Sequence, residues 1–397
     1  ITITKNADGS QTIKQQGKED CTDQVGDETV ITTHGQAITS LESDLEGPAA
    51  EDSGFGPVVE DNYQPAAPTQ PKDAEEPEGA EEPEDAEEPK DADQPENAEE
   101  SENTDRQESA GQQAQPQQAA PADAAPAAPA PANGFCKNII TVINNAATAL
   151  KLTLKDVKID VSDTGLENHA GKAALSVQGE GNVEIELDGK NELKSGYYRA
   201  GLEKNTSAGT LTLKDDNKEA GSGSLNAEGG ALSAGIGGSY NGYSANNGTK
   251  NIIITGGTVT ATGGDGGAGI GGGNGGAAEN ITITGSTVTA TGGSALGFGG
   301  AGIGGGSDGR NSDSNGKNIT ITGSTVTAKG GNGSAGIGGG VTGIGEAITI
   351  TGSTVTATGG IGAAGIGGGC GGDNGNGENI TITGSTVTAT GNSGGAG

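Results

Sequence analysis

The sequence predicts an all-β fold, a three-walled parallel β-helix, and three observations predict it. A block N-I-T-I-T-G-S-T-V-T-A-T-G-G recurs, with few substitutions, from Asn251, Asn280, Asn318, Ala347 and Asn379, and each complete unit then carries A-G-I-G-G-G. Inside the block apolar and polar residues alternate with the period of a strand, and helical periodicity is absent. The starts lie 29, 38, 29 and 32 residues apart, yet all of that variation falls in two inserts per unit. The inserts hold 3 and 6 residues, then 7 and 11, then 3 and 6, then 3 and 9. Constant walls with variable corners are the mark of a solenoid.

Taken from its first residue, the chain reads in four segments. Residues 1–45 hold two short alternating runs, Ile1 to Thr4 and Thr29 to Thr33, which predict strands. Two strands are too few to stand alone, so the segment is expected to be a β-rich remnant of an upstream module. The chain starts at Ile1 with no signal peptide and stops at Gly397 inside a repeat. Both ends therefore read as cut, with any export signal or wall anchor beyond them.

Residues 46–133 are low in complexity. Prolines at 77, 83, 89 and 95 punctuate a six-residue acidic repeat, and a run rich in Pro, Ala and Gln follows. Regular prolines block a helix, clustered carboxylates repel, and little apolar surface is available to offset ordering. A disordered acidic Pro/Ala/Glu-rich linker is expected, as a solvated spacer rather than a cation-binding tail.

Residues 134–250 repeat the later grammar in degenerate form: Lys151 to Leu154, Val183 to Leu187, Ala200 to Glu203, Gly209 to Leu213, Gly223 to Leu225 and Ala234 to Gly238. The solenoid is expected to begin near residue 134 and to become regular over 251–397. Parity assigns its faces. Ile281 and Ile283 point inward, Gly285-Ser286 bends the chain, Val288 and Ala290 make a second inward pair, and Ala301 and Ile303 a third. Thr282, Thr284, Thr287, Thr289 and Thr291 face outward. Stacking would place like residues over like, so that a narrow apolar column serves as core.

Composition agrees and excludes several functions. The chain has 397 residues, 78 of them glycine, with 30% hydrophobic and 2% aromatic residues and no Met or Trp. Such a chain cannot fill a conventional globular core along its length. The glycines lack a three-residue period, which excludes collagen. No apolar run is long enough to span a bilayer as a helix. A net charge of -32 argues against nucleic acid. Cys21, Cys136 and Cys370 have neither disulfide-framework nor zinc-knuckle spacing.

The order of Leu187 to Leu193 (L-x-G-x-N-x-L), AGL, GTLTL, AGIGG and the NITITGSTVTATGG/AGIGGG units resembles the right-handed parallel β-helix repeat regions of large bacterial cell-surface proteins. Some of these are described as carbohydrate-binding-domain proteins, and their fold is similar to that of pectate lyases. The resemblance covers residues 134–397 and implies a right-handed coil and an extracellular or cell-surface location. Fold alone does not carry activity.

Individual motifs were weighed against structural explanations. Gly267 to Gly272 and Gly300 to Gly305 match G-x-G-x-x-G, but a strand rather than a helix follows, so no phosphate site is expected. A calcium roll needs an aspartate in each turn, whereas the regular corners offer scattered Asp265, Asp308, Asp313 and Asp373. An incidental Ca²⁺ near Asp160, Asp163, Asp188 or Asp215 is the remaining metal reading, and no cofactor is expected. The acid–base candidates are Asp156, Asp160, His169, Glu184, Glu186, Tyr197, Tyr198 and Arg199, for which a solvated outer face is the stronger reading. Outward Thr-x-Thr arrays admit ice binding, but threonine is simply a good outward strand residue. Asn280-Ile-Thr, Asn318-Ile-Thr and Asn379-Ile-Thr spell glycosylation sequons, which a stacked asparagine ladder explains without sugar.

A non-catalytic surface or secreted stalk or adhesin is therefore the expected function. Polysaccharide binding by the degenerate coils, through Tyr197, Tyr198, Arg199, Tyr240 and Tyr243, is the alternative, and a β-helix lyase or hydrolase the third. A polysaccharide or a host or cell-surface ligand is the expected partner.

Overall fold

The computed structural model describes residues 1–40 and 134–397, apart from 7, 17–20, 24–28, 33–38, 217–222, 243–246, 296–297, 308–313 and 372–374. The 46–133 segment, expected to be a disordered linker, lies outside them. All described residues belong to one compact unit, Ile1–Gly56 with Ala128–Gly397.

Strands stack coil upon coil into three walls of parallel sheet, here A, B and C in the order the chain visits them. In the first coil β1 (Thr2–Lys5) lies in wall A. Strands β2 (Gln11–Lys14) and β3 (Cys21–Asp23) fold back antiparallel beyond it. β4 (Thr29–Thr32) lies in wall B, with β5 (Thr39–Ser40) antiparallel on its outer edge. The second coil is β6 (Ile140–Asn144), β7 (Leu150–Lys155) and β8 (Lys158–Asp160). The third is β9 (Leu175–Gln178), β10 (Val183–Asp188) and β11 (Lys190–Lys194). Six more coils follow, ending with the wall C strand Thr386–Asn392. The regular 251–397 coils continue the degenerate ones in unbroken register, Leu211 on Ile252 and Ile252 on Ile281.

The N-terminal segment departs from expectation. Instead of a remnant of a separate module, β1 pairs in parallel with β6, and β4 with β7. Ile3 and Ile31 point into the apolar column and are buried. Two isolated strands have no stability of their own; laid on the open rungs of coil two, they complete walls A and B. Wall C of this first coil is closed by a distant residue, Cys136, whose backbone N–H donates to Lys158 and whose carbonyl accepts from Asp160. β1 and β4 are thus already part of the solenoid, and the chain leaves this coil after wall B and re-enters at wall C.

The inward set matches parity. Ile281, Ile283, Val288, Ala290, Ala301 and Ile303 are buried, and all but Ala301, which lies just before its strand, register on their counterparts in the next coil. Burying an Ile side chain contributes roughly 1.5–3 kcal/mol, so one apolar pair per wall per coil is enough to hold the stack. Corner chemistry fixes the turns. Ser286, Ser324 and Ser353 each donate to the carbonyl two residues back, at 2.8–2.9 Å, and their backbone amides donate to the serine of the following coil. In wall A, Gly271 has φ +145°, and a Cβ there would collide with the Gly304 carbonyl of the next coil, which explains the glycine after each A-G-I.

Candidate functional site

The irregular coils gather what few rings the chain has. His169 stands in the corner between β8 and β9, Tyr197 and Tyr198 in the equivalent corner one coil later, and Tyr240 after the wall A strand Ile236–Gly237. Wall A is so narrow here that groups on its two corners touch. Ring centroids of His169 lie 4.9 Å from Tyr197 and 5.3 Å from Tyr198. Those of Tyr197 and Tyr198 are 4.3 Å apart, and Tyr240 meets Tyr198 edge-on at 4.7 Å. Tyr198 holds φ +65°, a left-handed backbone that a ring-bearing residue seldom adopts. The Tyr240 amide donates to the Tyr198 carbonyl, fixing one corner against the other.

Arg199 grips Glu203 with two nitrogens, Nε to Oε2 at 2.8 Å and Nη2 to Oε1 at 2.9 Å. Ser239 Oγ donates to Glu203 Oε2 and accepts from the Ala200 amide, so the arrangement is braced across two coils. Arg199 therefore positions the corner, and its charge is spent internally. Tyr243, the fifth residue of the expected sugar site, lies outside the described residues.

Beside Tyr197 opens a pocket of about 270 Å³, walled by exposed Leu166, by Ser162 and Ser195, and by Lys194 and Glu228. The two charged groups form an ion pair at 3.4 Å. Below it on wall C, Phe135 carries Lys158 and Lys194 over its ring, 5.8 and 5.7 Å from the centroid. Apolar faces, hydroxyls and neutralised charges suit an uncharged polyhydroxylated ligand.

The acid–base candidates do not converge. Glu184 and Glu186 lie on wall B facing Lys214, at 4.0 and 3.8 Å. Burial acts to lower the Lys214 ammonium, but the hydrogen bond and charge of Asp216, with both glutamates, raise it above its ordinary value. Asp156 turns the corner between walls B and C and accepts from the Lys190 amide. Asp160 is on wall C; burial favours its neutral form, yet two hydrogen bonds from Ser162 hold it below the usual carboxylate range. Glu184 and Glu186 thus meet at Lys214 on wall B, while His169, Tyr197 and Tyr198 come together at a separate corner with Arg199 next in the chain.

The proposed Ca²⁺ neighbours are likewise apart. Asp163 pairs with Lys137 and Asp188 with Lys155, while Asp215 accepts from the Gly223 amide. Among the described residues no three His, Cys, Asp or Glu side chains gather as a metal site. Asp308, Asp313 and Asp373 lie outside them, as does the side chain of Cys21. Cys136 and Cys370 are free thiols. No helix is long and apolar enough to cross a membrane.

Sequence reasoning missed Leu166, Phe135 and the Glu203–Ser239 brace, and it grouped His169 with the carboxylates and tyrosines as an acid–base candidate while leaving it out of the sugar site. One signal was available: His169 and Tyr198 are 29 residues apart, the interval of the regular repeat, which puts them on neighbouring coils.

Walls, corners and register define a parallel β-helix. The beta helix repeat family matches residues 221–240, 252–274, 281–307, 319–341, 348–370 and 380–397, one match in each successive coil from residue 221 onward. No curated protein and no solved structure matches the chain.

Proposed function

We propose that this protein is a non-catalytic β-helical module that binds polysaccharide at its irregular coils, while the regular coils act as a stalk outside the cell. The observation that carries the reading is the four-ring cluster. The whole chain holds five Tyr, three Phe and two His, and three of those tyrosines and one of those histidines meet across the narrow wall A. Aromatic faces match the apolar faces of pyranose rings, and the exposed Ser162 hydroxyl, which donates to Asp160, is free to accept from a sugar hydroxyl. The carboxylates are engaged with lysines and backbone amides on separate walls, Glu184 and Glu186 sharing Lys214 on wall B and Asp156 accepting from the Lys190 amide, and this favours binding over bond cleavage. Constant walls with tolerant corners support the stalk.

Affinity electrophoresis of the full chain in gels containing neutral or acidic polysaccharides tests this. Retardation in at least one gel is expected, and the double variant Tyr197→Ala/Tyr198→Ala should migrate freely. Free migration of the unmodified protein in all gels refutes the reading.

A further inference from the structure

The corner between wall C and wall A recurs once in every coil, and exposed apolar groups concentrate on it. Among the described residues the exposed large apolar side chains are Leu166 (64%), Phe298 (51%), Ile361 (56%) and Ile382 (46%). The first three stand at this corner, after coils two, six and eight. Tyr197 and Tyr198 occupy it after coil three, and Leu232 after coil four. Coils are about 4.8 Å apart, so Leu166 and Ile361 are separated by about 29 Å along the stack. Phe298 is lifted outward by a hairpin found in no other unit, Ser294–Ala295 against Phe298–Gly299, which rests on Asn332 of the following corner through Ser294 Oγ.

Charge along this line is balanced or absent. Arg199, Lys194 and Lys137 are paired with Glu203, Glu228 and Asp163, and Lys172 and Glu167 add one charge of each sign. In the corners after coils five to eight Asp265 is the single charged residue. The backbone here is largely glycine and its amides and carbonyls bond from coil to coil, leaving no free strand edge for a peptide to extend.

We infer that this corner is one continuous binding edge, along which a single uncharged linear glycan chain lies parallel to the stack. The Leu166–tyrosine site holds one part of the chain, and Phe298 and Ile361 hold sugars several units away. The inference rests on the polysaccharide reading above. A polymer of like units meets a polymer of like coils, so contacts repeat along both. An anionic glycan would meet a chain of net charge -32, with Lys194 and Arg199 of this corner already paired to Glu228 and Glu203.

The test uses the full chain and soluble neutral glycans (linear β-glucan, xylan and mannan), with polygalacturonate as the anionic probe. For the neutral glycan bound best, calorimetry follows oligosaccharides of two to six units. Affinity should rise about tenfold or more with length, equivalent to about 1.4 kcal/mol. Phe298→Ala/Ile361→Ala should lose about tenfold on the polymer, equivalent to about 1.4 kcal/mol, and leave the disaccharide unaffected. Tyr197→Ala/Tyr198→Ala should weaken both. Phe298 and Ile361 are exposed and Tyr197 and Tyr198 half-buried, and circular dichroism checks that each variant folds. Affinity independent of length, with the Phe298/Ile361 variant equal to the parent, overturns the edge and leaves the tyrosine site standing. Tighter binding of polygalacturonate overturns the uncharged class. Binding of no glycan overturns both the edge and the reading beneath it.

Discussion

Asparagine at the head of each block meets two demands at once. Asn251, Asn280, Asn318 and Asn379 all hold φ between 54° and 60°, a conformation asparagine tolerates better than other side chains. Their amides also form a ladder: Asn280 donates to Asn251 at 2.9 Å, and Asn318 to Asn280 at 3.1 Å. Ala347 holds the same backbone, φ 55°, with no side-chain amide to offer. Ala347→Asn should therefore fill the missing rung and raise stability by about 1 kcal/mol, read as a higher urea midpoint. An unchanged midpoint would mean the ladder is ornament.

Lys204 is the second informative residue. It occupies an inward position of wall A, is 1% exposed, and donates to the Asn205 carbonyl and to both oxygens of Ser207. Burial, with the nearby charge of Lys250, lowers its ammonium to about 8. An unfolded lysine titrates near about 10.4, so between these values the unfolded chain binds more protons and stability rises with pH. Below about 8 both states are protonated and the cost of burying the charge is fully present. Lys204→Met should gain on the order of 2 kcal/mol at pH 7, and that advantage should shrink as pH rises from 8 to 10. Unfolding curves that stay parallel across this range would contradict the cost assigned to burial.

At the scale of the element, walls and corners behave as separate devices. Alternation alone made the walls legible: Ile283 had to be inside if Thr284 was outside, and the structure has both so. The two-residue wall A was readable from A-G-I-G because glycine is required where coils come closest. The pairing of Ser294–Ala295 with Phe298–Gly299 was not readable, since Ser-Ala-Leu-Gly-Phe-Gly has no strand period. Replacing 294–300 by the three residues Asp265 to Gly267 should leave the strand signal in circular dichroism unchanged. Loop closure changes by only about 0.6 kcal/mol per doubling of length, so the midpoint should barely move. Loss of the strand signal would show that the hairpin supports the walls.

Across the whole compact unit, the ends of the walls explain what the sequence hid. Parallel sheet leaves open edges that invite further pairing, and at the first coil the antiparallel β2, β3 and β5 lie across two of them. Read linearly, residues 1–45 are separated from the next alternating run by a long acidic stretch, and nothing in the alternation says that two such distant runs share a coil. The tyrosine corner was half legible for the same reason. Residue types flagged it, but neighbours such as Leu166 and Tyr197 emerge only when coils are counted across irregular spacers.

The closing of the first coil by Cys136 has a consequence for covalent connectivity. The chain between wall B and wall C of that coil is a closed excursion whose two ends are held by the stack, through β4 on β7 on one side and Cys136 on Ile159 on the other. A backbone cut anywhere within 46–133 would therefore yield two pieces without dissociating them, because the shorter piece remains docked by β1 on β6 and by buried Ile3 and Ile31. The nicked protein should elute from a sizing column at the position of the intact one and separate into two fragments in urea. Early release of the short fragment under native conditions would show that the docking contacts are too weak to act without the tether. If the pieces stay together, the acidic stretch is an appendage the fold can lengthen, shorten or lose, and its sequence is free to answer to whatever surrounds the protein rather than to the coil it interrupts.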